Sequence, residues 1–296
     1  MSTRSRLTPL VLSLCALTWT GAGAATPEAN ALRARHQALA GELAHNDFQR
    51  PIHLQSSEQS GDLQGEVFAV VEHPFATLDA ALKTADRWCD ILILHPNVKQ
   101  CRAVGESPAR QLAVRVGRKL DQPAEDAFPI DFRHRVVSDT ADYLQVRLNA
   151  GAGPMGTHDY RILVEATPLD ASRSFLHLSY AYGYGFAARV AMQGYLATAG
   201  SGKVGFSVVD RKPDGSPVLV DNVRGAIERN TMRYYLAIDA YLDSLSAPPQ
   251  EQTERRLRDW FAATERYPRQ LRELDQAQYL AIKRKEIQRQ QVAKAG

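Results

Sequence analysis

The chain has 296 residues, of which 44% are hydrophobic and 23% are charged, values typical of a globular protein. Its formal net charge of +3 is too small to indicate binding to nucleic acid, and we predict no nucleic-acid partner. About 270 residues remain once the segment described next is removed, enough for one large domain with additional elements or for two small ones.

The first 24 residues predict a secretory signal peptide. Arg4 and Arg6 give a positively charged start, and residues 7–18 form a mostly apolar run that is too short to span a bilayer. The small residues 22–24 read Ala-Gly-Ala, an A-x-A cleavage site, which places the mature start at Ala25. We therefore expect an exported protein, periplasmic or secreted.

Removal of this segment leaves two cysteines, Cys89 and Cys101. In an oxidising compartment such a pair favours a disulfide, which would add roughly 3 kcal/mol to stability; the alternative is two buried free thiols. The spacing lacks the C-x-x-C pattern of a zinc knuckle, and the histidines form no H-x-x-x-H or H-E-x-x-H pair. We predict no metal site and no cofactor.

Hydrophobic periodicity predicts the first elements in chain order. Residues 27–44 have the pattern of an amphipathic helix, and residues 52–57 that of a short strand. A strand over 66–72 is apolar on much of both faces. Two short helices are expected at 75–82, after Pro74, and at 85–94.

Six segments with strand patterns follow, separated by short turns: 98–104, 111–118, 130–138, 143–150, 158–167 and 174–184. Successive strands with short connections indicate an antiparallel meander. A helix at 186–198 and a strand at 203–209 come next. A long helix over 223–245 then has one broad apolar face and ends before two prolines.

The charge is unevenly distributed along the chain. Residues from Gln250 onward carry a net charge of +4, whereas the body from Ala25 to Pro249 is near −3. A basic tail on a mildly acidic body suits contact with an anionic membrane surface. The alternative is that these charges lie on the solvated face of a helix.

The order of these elements resembles the helix-grip fold of the START and Bet v 1-like superfamily. Residues 67–78, VFAVVEHPFATL, are similar to the family's opening strand and proline-started helix. Trp88 stands where its second helix commonly has an aromatic residue, and residues 168–175, PLDASRSF, look like the turn between its last two strands. The resemblance covers about residues 63 to 246, and it is carried by element order because no short motif defines the superfamily.

The resemblance implies an α+β fold, in which a curved antiparallel sheet of about seven strands packs on the long C-terminal helix with an apolar cavity between them. We accordingly expect a signal peptide (1–24), an N-terminal helical extension (25–62), a helix-grip domain (63–248) and a basic helical tail (249–296). The insertion at 186–209 departs from the family pattern. It either caps the cavity or indicates that the sheet closes differently.

A ligand site is expected between the sheet and the long helix, because apolar walls with a few polar groups suit a small molecule. The residues expected to line it are Trp88, Leu178, Tyr180, Tyr182, Tyr184, Arg229, Tyr234, Tyr235, Ile238 and Tyr241. Tyrosine rings give flat apolar area and a hydroxyl that needs a partner, which suits a lipid, a sterol-like molecule or an aromatic compound. The alternative is that the rings fill the core. Arg229 either anchors an anionic head group or holds the helix to neighbouring loops.

Three hypotheses follow for function. The first is a periplasmic binding or carrier protein for a hydrophobic small molecule. A cavity above about 300 Å³ between the sheet and residues 223–245 would support it, and a packed interior there would count against both this hypothesis and the next. The second is a cyclase or hydrolase on the same fold, for which Arg229, Tyr182 and His177 are the groups to test. The third is a structural or assembly protein of the cell envelope that uses the basic tail as its contact surface.

Overall fold

The computed structural model describes residues 25–106, 110–197 and 202–295. The predicted signal peptide, the turn residues 107–109 and the last residue of the helix predicted at 186–198 lie outside these ranges. Within them, no helix is both long enough and apolar enough to cross a membrane.

An antiparallel sheet forms the body of the protein. Its eight strands are β1 (Ile52–Gln59), β2 (Asp62–Val71), β3 (Val98–Val104), β4 (Gln111–Val116), β5 (Phe128–Asp139), β6 (Leu144–Ala152), β7 (Thr157–Pro168) and β8 (Ser174–Tyr184). The strand order is β1-β2-β8-β7-β6-β5-β4-β3. The predicted meander is therefore confirmed from β3 to β8, and β8 returns to pair with β2 along ten residue pairs.

Helices cover both faces of this sheet. They are α1 (Pro27–Ala38), α2 (Ala40–Ala44), α3 (Phe75–Leu82), α4 (Ala85–Leu92), α5 (Phe186–Ala197), α6 (Asn222–Ser244), α7 (Pro249–Glu265), α8 (Pro268–Leu271) and α9 (Gln276–Ala295). The pair α3 and α4 connects β2 to β3 across the width of the sheet, and α6 packs on β1, β2 and β8. This arrangement is the helix-grip architecture, so the expected α+β fold class is confirmed.

Strand β8 is buried along its whole length, because it lies in the middle of the sheet and both of its faces are covered. Its even-numbered residues from Leu176 to Tyr184 belong to the main core beneath α6. Phe175, on the opposite face, packs with Phe68 and with Leu32 of α1. The face that carries Phe175 is called the outer face below, and the face toward α6 the inner face.

The sheet has one strand more than the seven expected. Strand β1 pairs with β2 in a hairpin in which Gln59 stands opposite Asp62, so the expected boundary between residues 62 and 63 falls inside this hairpin. The second half of β1 is polar and exposed, as suits an edge strand. Because of this polarity, the sequence pattern did not assign the strand to the main sheet.

The insertion after β8 also differs from its expected form. Residues 203–207 are not a strand; a separate hairpin forms later, from β9 (Val208–Arg211) and β10 (Pro217–Leu219). The buried carboxylate of Glu228 in α6 explains this difference. It accepts hydrogen bonds from the backbone N–H groups of Phe206 and Ser207, at 2.6 and 3.0 Å, which holds this segment to the helix instead of to another strand.

The C-terminal tail (249–295) docks on the body through buried charges. The carboxylate of Glu286 in α9 lies 2.9 Å from Lys99 of β3 and 2.7 Å from Lys283, and all three side chains are almost fully buried. Gln290 accepts a hydrogen bond from the backbone N–H of Cys101 at 2.8 Å. Helix α9 therefore covers the edge strand β3, which would otherwise present unpaired backbone groups.

Replacing Glu286 tests this docking. We expect Glu286→Gln to lower the free energy of unfolding by about 3 kcal/mol, because it leaves the ammonium groups of Lys99 and Lys283 buried without a countercharge. The matched control is Glu254→Gln, at a partly exposed ion pair, for which we expect a loss below about 1 kcal/mol. Urea denaturation measures both. Equal losses would contradict the importance of the buried group.

The predicted disulfide is present between Cys89 of α4 and Cys101 of β3. It joins the second helix of the α3–α4 connection to the strand that follows it, and both residues belong to the main core. The disulfide therefore fixes the helical connection at the β3 edge.

We expect Cys89→Ala/Cys101→Ala to lower the free energy of unfolding by about 3 kcal/mol, because the unfolded chain regains the freedom of the closed loop. Denaturation with and without a reductant measures the effect. The reductant should destabilise the native protein and leave the double variant unchanged. A reductant effect of the same size on both proteins would contradict the prediction.

Candidate functional site

Tyrosines of the inner face gather beneath α6. The two-residue period of β8 turns Tyr180 and Tyr182 toward the helix, as predicted. The ring of Tyr160, on β7, stacks on Tyr182 with centroids 5.2 Å apart, and Tyr234 of α6 meets Tyr180 edge-on at 5.1 Å. We call Tyr160, Tyr180, Tyr182 and Tyr234 the tyrosine cluster.

The hydroxyl groups of the cluster differ in their partners. The Tyr160 hydroxyl lies 2.7 Å from that of Thr157, and the Tyr182 hydroxyl lies 4.0 Å from the sulfur of Met192. Within the described part of the chain, the hydroxyls of Tyr180 and Tyr234 have no hydrogen-bond partner. Burial raises the pKa of both phenols above the ordinary value, so each remains neutral and keeps a proton to donate.

A neutral histidine completes one side of the cluster. The ring of His95 stacks on Tyr234 with centroids 4.9 Å apart, and its Nδ1 accepts a hydrogen bond from the backbone N–H of Asn97 at 3.2 Å. Burial, and then the positive charges of Arg233 and Lys283, lower the pKa of His95 well below its ordinary value. The site therefore offers neutral polar groups in apolar surroundings.

Helix α5 covers the end of the cluster that holds Tyr182. Ala188 belongs to the core, and Met192 packs against it beside the Tyr182 hydroxyl. Arg189 lies over the ring of Tyr184 at 5.5 Å, and the Tyr184 hydroxyl donates to Glu58 of β1. Of the two interpretations of the insertion, these contacts favour a cap over the interior.

The turn between β6 and β7 closes over Tyr160. A Cβ atom at Gly153 would clash with the Tyr160 ring, so only glycine lets the backbone approach this closely. Gly153 therefore allows the backbone of the turn to lie directly against the Tyr160 ring.

The other predicted site residues lie elsewhere in the core. The Tyr235 hydroxyl is 3.5 Å from Arg50, and the ring of Tyr241 lies 4.3 Å beneath the guanidinium of Arg256. Trp88 donates its indole N–H to the carbonyl of Leu82 at 2.6 Å. Two further predicted residues, Leu178 and Ile238, are buried in the main core. The ten residues therefore do not form one common lining.

Arg229 contacts protein groups in this structure. It is 4% exposed, and its guanidinium donates to the carbonyl of Val204 at 3.2 Å, which attaches the inserted segment to α6. Of the two interpretations offered by the sequence, this contact is the one expected of a residue that holds the helix to a loop.

Two members of the site were missed by the sequence reasoning. Tyr160 shares the two-residue period of Ile162 and Val164 on β7, and this period was a usable signal for its inward orientation. His95 follows α4 in a turn, where no periodicity applies, and only the long-range approach of α6 brings it to Tyr234.

The rings leave little open space between the sheet and α6. Tyr160, Tyr180 and Tyr182 are each only 6% exposed and contact one another. Three grooves larger than the expected 300 Å³, of 570, 470 and 430 Å³, lie at the surface. The first of them reaches Tyr160 from outside. None of these three grooves is lined by Tyr180, Tyr182 or Tyr234, so none of them is the cavity expected between the sheet and α6. The contacts among the rings define an aromatic cluster in which two hydroxyls have no partner among the described residues.

His177 and Tyr182 are five positions apart on β8. Because side chains alternate along a strand, an odd offset places them on opposite faces of the sheet. Its Nδ1 is 2.8 Å from Glu165 and its Nε2 is 3.0 Å from Glu66, and the ring stacks on Phe68 with centroids 4.2 Å apart. Both ring nitrogens are engaged, so His177 clamps β2, β8 and β7 together. Arg229, Tyr182 and His177 therefore do not converge on one point.

In this clamp the carboxylates of Glu165 and Glu66 both pair with the single imidazolium of His177. Burial alone would lower the pKa of His177, but the hydrogen bonds that its ring donates to Glu165 and Glu66 reverse this effect and raise it. Burial would raise the pKa of Glu165, but its bonds to His177 and Tyr143 outweigh burial and lower it to about 2. The hydrogen bond to His177 likewise lowers the pKa of Glu66.

These shifts predict a pH window for the clamp. The raised pKa of His177 gives stability that is complete below about pH 6.5 and is lost as the pH rises through the folded-state value. The lowered pKa of Glu165 gives stability that is present above about pH 4.5 and is lost as the pH falls toward about 2. We expect His177→Gln to cost about 2 kcal/mol at pH 5.5 and clearly less at pH 9.

Denaturation of native protein and variant at the two pH values measures this difference. His158→Gln, at an exposed histidine, is the matched control and should cost little at either pH. A cost for His177→Gln that is the same at pH 5.5 and pH 9 would show that the charge on the imidazole contributes nothing.

Comparison with known proteins gives similarity at the level of structure alone. No family model matches the chain, and no curated protein is similar to it. A START superfamily protein from Mycobacterium smegmatis is 10% identical over 62% of this chain and 99% of its own, with a TM-score of 0.38. The Zhui aromatase/cyclase from Streptomyces sp. R1128 is 13% identical over 72% and 95%, with a TM-score of 0.33. Truncated norcoclaurine synthase from Thalictrum flavum is 12% identical over 49% and 90%, with a TM-score of 0.34.

Similarity at this level supports no inference about ligand or activity. The fold and site define a helix-grip protein with a covered aromatic interior. The resemblance to the START and Bet v 1-like superfamily holds for the fold, where it rests on strand order, on the α3–α4 connection and on the position of α6.

Proposed function

We propose that this protein is an exported binding or carrier protein for a hydrophobic small molecule, which it holds at the tyrosine cluster between the sheet and α6. The observation that carries the proposal is the pair of unpartnered hydroxyls, Tyr180 and Tyr234, among otherwise apolar rings. An apolar site with a few convergent polar groups is the usual form of a small-molecule site.

The energetics favour a ligand with one polar group on an apolar body. A ligand acceptor at Tyr180 or Tyr234 would form a new hydrogen bond with a hydroxyl that has no protein partner, which contributes about 1 kcal/mol. The rings supply flat contact area to the remainder of the molecule. A lipid, a sterol-like molecule or an aromatic compound each has this chemistry.

Admission of such a ligand requires α5 to move, because the rings of the cluster already touch. Among the side chains of α5 that the structure describes, Ala188 and Met192 meet the core. Phe186 and Val190 are 82% and 52% exposed, so these two large apolar side chains hold the helix only in part. We therefore assign the movement that admits the ligand to α5.

Export is the second element of the proposal. The signal pattern of residues 1–24 directs the chain out of the cytoplasm, and a structural disulfide between Cys89 and Cys101 suits an oxidising compartment. The two alternatives lack a comparable observation. An enzyme that uses Arg229, Tyr182 and His177 has His177 on the opposite face of the sheet from the other two groups. The tail proposed for envelope assembly is docked on β3.

Ligand binding is testable on the protein recovered from its host. We expect native mass spectrometry to show a co-purified hydrophobic molecule, and the recovered compound to displace a fluorescent probe, N-phenyl-1-naphthylamine. Tyr234→Phe should raise the Kd of that compound about fivefold to tenfold, because it removes one hydrogen bond worth about 1 kcal/mol.

The matched control is Tyr143→Phe, a tyrosine of the outer face whose hydroxyl donates to Glu165, and it should leave the Kd unchanged. The alternative that the rings only fill the core predicts a different result. In that case native protein binds no probe, whereas Tyr182→Ala, which opens space, does bind it. That pattern would overturn the proposal.

A further inference from the structure

The outer face of the sheet is covered over only part of its width. Helices α1 and α2 pack on β1, β7 and β8, whereas the outward side chains of β5 and β6 remain exposed. Three of these are arginines, Arg133 and Arg135 on β5 and Arg147 on β6. We call these three residues the arginine face.

The arginine face lacks compensating charge. Within the described ranges, Arg133, Arg135 and Arg147 form no ion pair. Arg135 stands directly opposite Arg147 in the register of β5 and β6, and like charges in such a pair repel. The repulsion between Arg135 and Arg147 destabilises the isolated protein. An anion bound across both guanidinium groups would replace this repulsion with two favourable contacts.

A surface groove of 570 Å³ lies along this face. Its lining includes Arg133, Arg135 and Arg161, together with the acids Asp131 and Asp159. Of these acids, Asp159 is engaged by His158, and Arg161 is engaged by Asp62 of β2 at 2.6 Å. Arg133, Arg135, Arg147 and Arg161 exceed the three acids Asp131, Asp159 and Asp62 by one positive charge. The unpaired positive charge lies at the arginine face, where it suits a partner with closely spaced negative groups.

Large apolar side chains are exposed at the end of the sheet that this groove reaches. The groove is lined by Gly151 near the end of β6, and Met155 in the following turn is 60% exposed. Helix α5 packs against this turn, and its Phe186 and Val190, one helical turn apart, are 82% and 52% exposed. We call Met155, Phe186 and Val190 the apolar rim.

We propose that the arginine face and the apolar rim together form a docking surface for an anionic lipid bilayer. The guanidinium groups fit the phosphate level of the bilayer, and the apolar rim fits the boundary between head groups and acyl chains. A soluble polyanion would use the arginines and leave the rim in water, so the rim decides between these two kinds of partner.

The proposal goes beyond ligand binding and does not require it. The groove reaches Tyr160, and the rim includes the exposed face of the α5 cover, so docking would bring the covered end of the tyrosine cluster against the lipid. The surface also differs from the basic tail, whose lysine Lys283 is buried in the contact with β3.

Sedimentation with large unilamellar vesicles tests the proposal. The full protein should bind vesicles of phosphatidylcholine with 30% phosphatidylglycerol, bind pure phosphatidylcholine vesicles far less, and lose binding as the salt concentration rises. Arg133→Gln/Arg135→Gln/Arg147→Gln should lower the partition coefficient roughly 100-fold, which corresponds to about 1 kcal/mol for each arginine. Phe186→Ser/Val190→Ser should lower it at least about tenfold.

The matched control is Arg255→Gln/Arg258→Gln/Arg284→Gln, which removes the same charge from exposed positions of the tail. This control should keep vesicle binding within about twofold of the native protein. The proposal is overturned if the control loses binding as strongly as the arginine-face variant, or if only soluble inositol hexakisphosphate binds and vesicles do not. Thermal unfolding and probe binding of every variant separate loss of docking from loss of folding or of the ligand site.

Discussion

The long helix α6 carries charged residues that are buried, and other segments of the chain supply hydrogen-bond or ion-pair partners for them. A charge removed from water costs several kcal/mol unless a partner meets it. Glu228 accepts hydrogen bonds from Ser56 of β1 and from Ser207 of the inserted segment. Arg233 pairs with Glu273 of the tail, and Asp239 pairs with Arg50, which precedes β1. These segments, which depart from the family pattern, are therefore required for α6 to be buried.

The elements of the fold that depend on local pattern could be predicted from the sequence. The long helix was expected at 223–245 and is found at Asn222–Ser244, and the two-residue period of β8 predicted the inward orientation of Tyr180 and Tyr182 correctly. For the helix and the strand, the signal is carried by neighbouring residues that share one element. The disulfide was predicted differently, from the two cysteines that remain in a chain expected to reach an oxidising compartment.

The candidate site was predicted only in part, because its environment is built by residues far away in the chain. Tyr235 has the apolar character expected of a lining, but Arg50 approaches it from 185 positions away in the chain. His95 enters the site from a turn without periodicity. Pairings between residues more than 100 positions apart have no local signal, and they decide which apolar side chain meets a ligand and which meets the core.

The contact between Glu286 and Lys99 spans 187 residues, and this separation governs the order in which the molecule assembles. A contact at such a distance forms late, because the loop must close before the contact contributes any energy. During synthesis the sheet can pair while β3 is still uncovered. For that interval the β3 edge is exposed to pairing with other chains, so aggregation during biogenesis should depend on how quickly α9 follows.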